Sequence, residues 1–261
     1  MTKSNLEDGD LGMGDFKQTT KEVVKYLMLR CGLAHAVDAQ RRWRGQSTGH
    51  LHAKSTAEVF SGIYSNHVWV KQKGQDSLSG EGSTKQATVE LAARLSAFLK
   101  EVGCRKLVDI GCGDFNWMRT VEGDFSYLGI DVVPLLINGH NSSFADSRRS
   151  FLCLDATQEA VPSGDVALCR EVLFHLSYKD GWKFLRNIQS AGFKHVLITN
   201  DKHLRFNTDI RTGDYRRINL LKPPFRFPAP TVELTDDKYE HGRVISVWPG
   251  PVFREIAIPK R

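Results

Sequence analysis

The chain has 261 residues, 41% hydrophobic and 25% charged, which suits one large or two small domains and excludes a disordered or collagen-like polypeptide. Its 36 Lys and Arg against 30 Asp and Glu leave a net charge of +6, a mildly basic balance that permits an anionic partner without requiring one. No apolar run approaches the ~20 residues that span a bilayer, and the early carboxylates Glu7, Asp8, Asp10 and Asp15 have the wrong charge for a secretory or transit leader, so a soluble, cytoplasmic protein is expected.

Residues 1–15 are aperiodic and read as a disordered tail. A helix is expected over 16–37, with Val23, Val24, Leu27 and Met28 on one side. Residues 38–53 are polar and mixed and read as a linker, followed by a short helix from Ser55 to Tyr64. Ser79 to Ser83 is a Gly/Ser-rich turn, and Ser83 with Gln86 forms a capping-box pattern. The helix it opens carries Ala87, Leu91, Leu95, Phe98 and Leu99 at helical spacing and stops at Gly103.

The rhythm then changes to short apolar runs. Strands are expected at Lys106–Ile110, Phe125–Ile130, Phe151–Leu154, Asp165–Cys169 and His195–Thr199. Pro134 suits the first turn of one intervening helix. Ser177 with Asp180 caps another, bearing Tyr178, Trp182, Leu185 and Ile188. Residues 201–230 break the pattern with Arg205, Arg211, Gly213, Arg216, Arg217 and Pro223-Pro224-Phe225-Arg226-Phe227-Pro228, and read as a long irregular substrate loop. Thr231–Leu234 and Arg243–Val247 form a terminal hairpin, with Phe253–Ile258 as a possible last strand.

Strands alternating with helices imply an α/β fold with a doubly wound, mostly parallel sheet, whose strand C-terminal ends share the ligand-binding edge. The expected plan is a tail over 1–15, an N-terminal helical extension and flap over 16–84, and a main domain over 85–261. The five cysteines, Cys31, Cys104, Cys112, Cys153 and Cys169, contain no Cys-x-x-Cys pair, so a zinc ribbon or thioredoxin-like redox site is not expected, and no metal site is indicated.

The strongest chemical signal is Val108-Asp109-Ile110-Gly111-Cys112-Gly113-Asp114, a strand running into a glycine turn. Glycines let the backbone approach a ligand closely. A dinucleotide fingerprint would place a third glycine at position 116, which is Asn116, and has no evident use for Asp109. The stretch instead resembles motif I of the class I S-adenosylmethionine-dependent methyltransferases, acid-x-Gly-x-Gly, with Phe115 in place of that family's third glycine. The resemblance spans roughly residues 103–200. It includes Asp131 at the end of the second strand, Asp155-Ala156 after the third, and the run Asp165 to Leu176 with its Glu171-Val172-Leu173-Phe174-His175-Leu176 ending. A narrower likeness to small-molecule or sugar-type members covers Phe60, Ile63, Tyr64, Trp69, Ser79 to Ser83, Gly113 to Trp117, Ile218-Asn219-Leu220 and Pro224-Phe225.

The resemblance implies a Rossmann-like domain of seven strands with a C-terminal antiparallel hairpin, binding S-adenosylmethionine and releasing S-adenosylhomocysteine. It implies cofactor contacts from Asp109, Gly111, Cys112, Gly113, Asp131, Val132, Asp155, Ala156 and Arg170. Asp131 would hold the ribose hydroxyls and Asp155-Ala156 would read the adenine edge, although each acid could equally be a helix cap or turn residue. His175 is a candidate general base, or packs beneath the cofactor. Arg170 could grip a carboxylate or phosphate, or pair with Glu171 or Asp155. Phe115, Trp117 and Glu171 are candidates for the pocket wall, and Trp69, Ser79 and Gly80 for a flap. Arg216 is a candidate clamp on an anionic acceptor. A small, anionic or sugar-like acceptor is expected. The alternatives are an RNA or protein methyltransferase, for which Arg41-Arg42-Trp43-Arg44 is a thin basic patch, and a non-catalytic cofactor-binding regulator.

Overall fold

The computed structural model describes residues 20–21, 23–238 and 241–259; the expected tail and the start of the first expected helix lie outside the described residues. Seven strands form one sheet in the order β3-β2-β1-β4-β5-β7-β6. They are β1 (Lys106–Ile110), β2 (Ser126–Asp131), β3 (Arg149–Cys153), β4 (Val166–Cys169), β5 (His195–Asp201), β6 (Val232–Thr235) and β7 (Arg243–Pro249). The first five are parallel, while β7 runs antiparallel to β5 and to β6. The expected architecture, a mostly parallel sheet closed by an antiparallel pair, is the one observed.

Strand residues alternate between two cores, as the two-residue period of a sheet covered on both faces requires. Val108 and Ile110, Ala167 and Cys169, and Val196 and Ile198 enter one core with Phe184, Leu185 and Ile188 of α6 (Tyr178–Ala191) and Phe253 of α7 (Gly250–Glu255). Leu107, Val166, Leu168 and Leu197 enter the other with Leu91, Leu95 and Phe98 of α4 (Lys85–Glu101) and Ile137 of α5 (Pro134–Ser143).

Several expectations need correction. The chain over 253–258 is not a strand: Pro249 ends β7 and Pro251 opens α7. A side chain at Gly250 would sit 2.0 Å from the Phe193 carbonyl oxygen, which fixes how closely α7 starts against the sheet. The first helix is interrupted at Gly32 (φ +77°), so residues 23–30 form α1, and the expected linker contains α2 (Ala34–Trp43) and a 3₁₀ turn at Gly49–His52. On α1, Val24 and Leu27 face solvent, whereas Val23 and Met28 are half-buried. The short helix expected from Ser55 to Tyr64 is present as α3 (Thr56–Ser65), with Ser55 as its cap. The cap of α4 is Thr84 rather than Ser83, its hydroxyl accepting from the Ala87 N–H at 3.3 Å. The far half of the 201–230 excursion is irregular but not loose: Ile218, Leu220, Phe225 and Phe227 are buried in the α6-side core. No helix among the described residues is long and apolar enough to cross a membrane.

Candidate active site

The parallel register brings the C-terminal ends of β1, β2 and β4 to one edge, where β1 runs into the glycine turn. The Gly111 and Cys112 N–H groups both donate to the Ile130 carbonyl, at 2.7 and 3.0 Å, binding the turn to β2. Gly111 (φ +83°) and Gly113 (φ +56°) adopt backbone that side chains disfavour. A Cβ at Gly111 would lie 2.4 Å from Val172 Cγ2, and one at Gly113 would lie 2.5 Å from Ser79 Oγ. Phe115 also takes a positive φ, +57°, two residues on. His140 Nε2 from α5 meets the Gly113 carbonyl at 2.8 Å, a support with no sequence signature.

Beyond this turn lies an open-mouthed cleft whose empty space, open solvent included, is about 920 Å³. Asp109, Asp131 and Asp155 all border it, one from each of the first three strand ends. Asp131 accepts the Gly113 N–H on one oxygen and the Val133 N–H on the other, each at 3.0 Å. Burial raises its pKa, opposed by those backbone bonds. Each oxygen retains a lone pair for a ligand hydroxyl. Asp155 turns the chain, accepting Thr157 N–H and Oγ1 on Oδ1 at 2.9 and 2.7 Å. Asp109 is almost fully buried and receives the Tyr127 hydroxyl at 2.8 Å. Burial pushes its carboxyl up to about 7, against the pull of the Tyr127 bond. Val132, Leu154 and Ala156 supply apolar wall between these acids.

The opposite wall is the flap. Asp114 accepts Ser77 Oγ at 2.8 Å and the Leu78 N–H at 2.6 Å, while its own N–H donates to Ser79 Oγ at 3.0 Å. Ser79 Oγ also meets the Tyr64 hydroxyl at 2.7 Å. Trp69 packs edge-on to Tyr64 (5.4 Å between centroids) and lies 4.7 Å from the His175 ring. Gly80 stands outside the cleft lining, behind Trp69.

At the end of β4 sits a charged network. Arg170 grips Asp236 with Nε and one terminal nitrogen, at 2.9 and 3.0 Å, and donates to the Gly82 carbonyl at 2.9 Å. Its guanidinium stacks 5.2 Å above the Trp117 ring, and both residues line the cleft. Its main partner is therefore Asp236 rather than Asp155, with Glu171 a looser contact at 3.7 Å. Glu171, at φ +60°, pairs with Arg243. Burial would raise its pKa, but Arg243 and Arg170 hold it below the usual carboxylate range. A non-glycine residue in left-handed backbone at a cleft marks stored strain.

His175 ends the 3₁₀ turn Val172–His175 and lines the cleft. Its Nδ1 lies 3.0 Å from the Asp214 carbonyl oxygen, and since a carbonyl only accepts, Nδ1 carries the hydrogen and Nε2 is left with the lone pair. Burial lowers its pKa, with Glu171 opposing, so the neutral ring is favoured.

Two expected wall or clamp residues lie elsewhere. Phe115 is buried among Tyr127, Phe144 and Phe151, on the far side of the turn from the cleft. Arg216 is 1% exposed and lies outside the lining. It donates to the Leu173 and Leu176 carbonyls at 3.3 and 2.6 Å and covers the Tyr178 ring. Arg211 pairs with Asp38, and Arg217 with Asp201. Arg211, Arg216 and Arg217 are thus engaged in contacts within the protein.

No family model matches the chain, and no curated protein matches it. Solved structures do. Magnesium protoporphyrin IX methyltransferase from Synechocystis PCC 6803, with bound S-adenosylmethionine, aligns over 75% of this chain and 97% of its own at TM-score 0.53 and 11% identity. Human N-acetylserotonin methyltransferase, in complex with the same molecule, aligns over 83% of this chain and 66% of its own at TM-score 0.54 and 12% identity. The 1,6-didemethyltoxoflavin-N1-methyltransferase of Burkholderia thailandensis aligns over 75% of this chain and 90% of its own at TM-score 0.50 and 16% identity. With the strand order, the glycine turn and the cleft at the strand ends, these likenesses establish that the chain has the Rossmann-like fold of the class I S-adenosylmethionine-dependent methyltransferases.

Proposed function

We propose that the protein binds S-adenosylmethionine and transfers its methyl group to a small-molecule acceptor. The observation that carries this reading is the convergence of Asp109, Asp131 and Asp155 on one cleft beside a glycine turn at the sheet's C-terminal edge. The donor set fits the cofactor. Asp131 keeps acceptor capacity for two ribose hydroxyls, Asp155 and Ala156 border a site for the adenine edge, and side-chain-free Gly111 and Gly113 leave room for the methionine tail. When bound, the cofactor supplies a methyl already activated on a sulfonium centre.

The remaining work belongs to the chain. Trp69, Tyr64 and Phe60 wall the cleft on the side of α3 and the flap. Neutral His175 offers Nε2 to take a proton from an acceptor hydroxyl or amine, a contribution of roughly 10²–10⁴-fold. Arg170 and Glu171 sit at the cleft with their charges compensated by Asp236 and Arg243. Because Arg211, Arg216 and Arg217 are engaged within the protein, a neutral or sugar-like acceptor is favoured over an anionic one. The names of the structural neighbours, given for small-molecule acceptors, support the small-molecule reading.

Calorimetric titration with S-adenosylmethionine tests the cofactor. Asp131→Ala removes charge-assisted hydrogen bonds to two ribose hydroxyls, about 1.5–3 kcal/mol each, so affinity should fall by about 100-fold or more. Undiminished affinity in that variant, or no binding to the unaltered protein, overturns the reading. Radiolabelled methyl transfer to a panel of small hydroxylated and amino compounds, beside RNA, then identifies the acceptor class.

A further inference from the structure

The contacts around His175 lead out of the cleft to the first two helices. Residues 212–216 wrap the turn that carries it. The Gly213 N–H donates to the His175 carbonyl at 2.8 Å, the Arg216 N–H to the Phe174 carbonyl at 3.0 Å, and the Ser177 N–H to Thr212 Oγ1 at 3.0 Å. The same Asp214 whose carbonyl accepts His175 Nδ1–H has a side chain only 2% exposed. That carboxylate receives Lys25 Nζ from α1 at 3.2 Å and an Arg41 terminal nitrogen from α2 at 2.9 Å. Lys25 Nζ also donates to the Tyr215 carbonyl at 3.2 Å. Three residues earlier, Arg211 is held by the buried Asp38 of α2, which also pairs with His52. Gly213 has no spare room: at φ +93°, its Cβ would lie 2.3 Å from Val59 Cγ1 of α3.

A carboxylate out of water is costly unless compensated. Here the compensation comes from two cations on separate helices, and both converge on the one residue that also fixes the histidine tautomer. Locking the Asp214 side chain locks its carbonyl, and the carbonyl dictates which ring nitrogen keeps the lone pair. We infer that α1 and α2 form a clamp which, through Asp214, holds His175 as the Nδ1–H tautomer with Nε2 presented to the cleft. Asp214 is then a positioning residue for the base. The inference rests on the reading of His175 as that base.

Releasing the clamp has a definite direction. In a Lys25→Met/Arg41→Met variant the Asp214 carboxylate loses its compensating cations and the 211–216 segment loosens. Both the freed negative charge and the entry of water raise the His175 pKa. The groups facing the ring are Glu171 on its own turn and Asp214 and Arg216 from the wrapping segment, with Trp69 and Tyr215 as ring neighbours.

The test is NMR of the full chain carrying ¹³C,¹⁵N-labelled histidine, with the His175 signals assigned by their loss in His175→Gln. In the unaltered protein His175 should appear as the Nδ1–H tautomer and titrate below an exposed histidine. In the double variant its midpoint should rise toward the ordinary histidine value, and the tautomers should mix. S-adenosylmethionine affinity, read by calorimetry, should stay within about twofold, since neither side chain borders the cleft. An unchanged tautomer and midpoint in the double variant overturn the clamp. Should the double variant fail to fold, Lys25→Met alone carries the same expectation, and Arg41→Lys, which keeps the charge, should retain the tautomer. Absence of S-adenosylmethionine binding in the unaltered protein removes the methyl-transfer reading but leaves the histidine spectra to judge the clamp.

Discussion

Asp109 shows how one residue can carry a stability cost for a site. It lies in β1 with almost no exposure, and burial raises its carboxyl to about 7, against roughly 3.9 in an unfolded chain. A folded-state pKa above the unfolded one favours the fold fully below the unfolded value, and that contribution is lost as pH rises through about 7. At ~1.4 kcal/mol per unit, the loss reaches up to about 4 kcal/mol by pH 9. Asp109→Asn keeps an oxygen for the Tyr127 hydroxyl and has nothing to ionise. Urea unfolding between pH 4 and 9 should therefore show the unaltered protein losing stability that the variant keeps; parallel curves would mean that Asp109 is ionised throughout. Asp109 was legible from its place two residues before the first glycine. Asp236 and Arg243 were not, because each pairs with a partner 66 or 72 positions away in the chain. Arg216 was misread for a related reason. An arginine in a long loop suggests exposure, yet the Leu173 and Leu176 carbonyls needed a buried donor.

Among the elements, the flap is tied to the glycine turn through the Asp114 carboxylate. Asp114 accepts from Ser77 and from Leu78, and a hydrogen bond to a charged group contributes about 1.5–3 kcal/mol. Much of the flap is exposed, so Asp114→Ala should lower global stability by only about 1–3 kcal/mol. Amide exchange at Leu78 and Ser79 should quicken much more than exchange in β1 or β4, as hydrogen-exchange mass spectrometry would resolve. Uniform acceleration would mean that the flap and the sheet open together. The five parallel strands were legible because each is a short apolar run bounded by turn residues. The last element was not. Phe253, Ile256 and Ile258 read as a strand, but Pro251 had already committed the chain to a helix, and Phe253 reaches the core from it.

At the scale of the molecule, the cleft is assembled from separate stretches between Thr56 and Phe184: α3 and the flap, four strand ends, and the turn after β4. A ligand bound there couples to the whole fold. S-adenosylmethionine at 100 times its dissociation constant should stabilise the protein by about 2.7 kcal/mol, raising the melting midpoint by roughly 5–10 °C at this size. NAD should produce no shift. A scanning fluorimetry series with both ligands decides this, and a shift with NAD alone would return the dinucleotide reading that Asn116 disfavours.

The sequence by itself determined the layering of the sheet, the glycine turn, and the assignment of one carboxylate to each of the first three strand ends. Those features are local: apolar runs, turn residues and motif spacing are written within a few positions of one another. Only the tertiary structure decided which charges face the cleft and which are consumed inside the protein. The link from Lys25 and Arg41 to Asp214, and the pairing of Arg211 with Asp38, close over 173 or more positions. A buried charge needs a partner in space, and where the chain finds that partner is settled by packing and not by sequence distance.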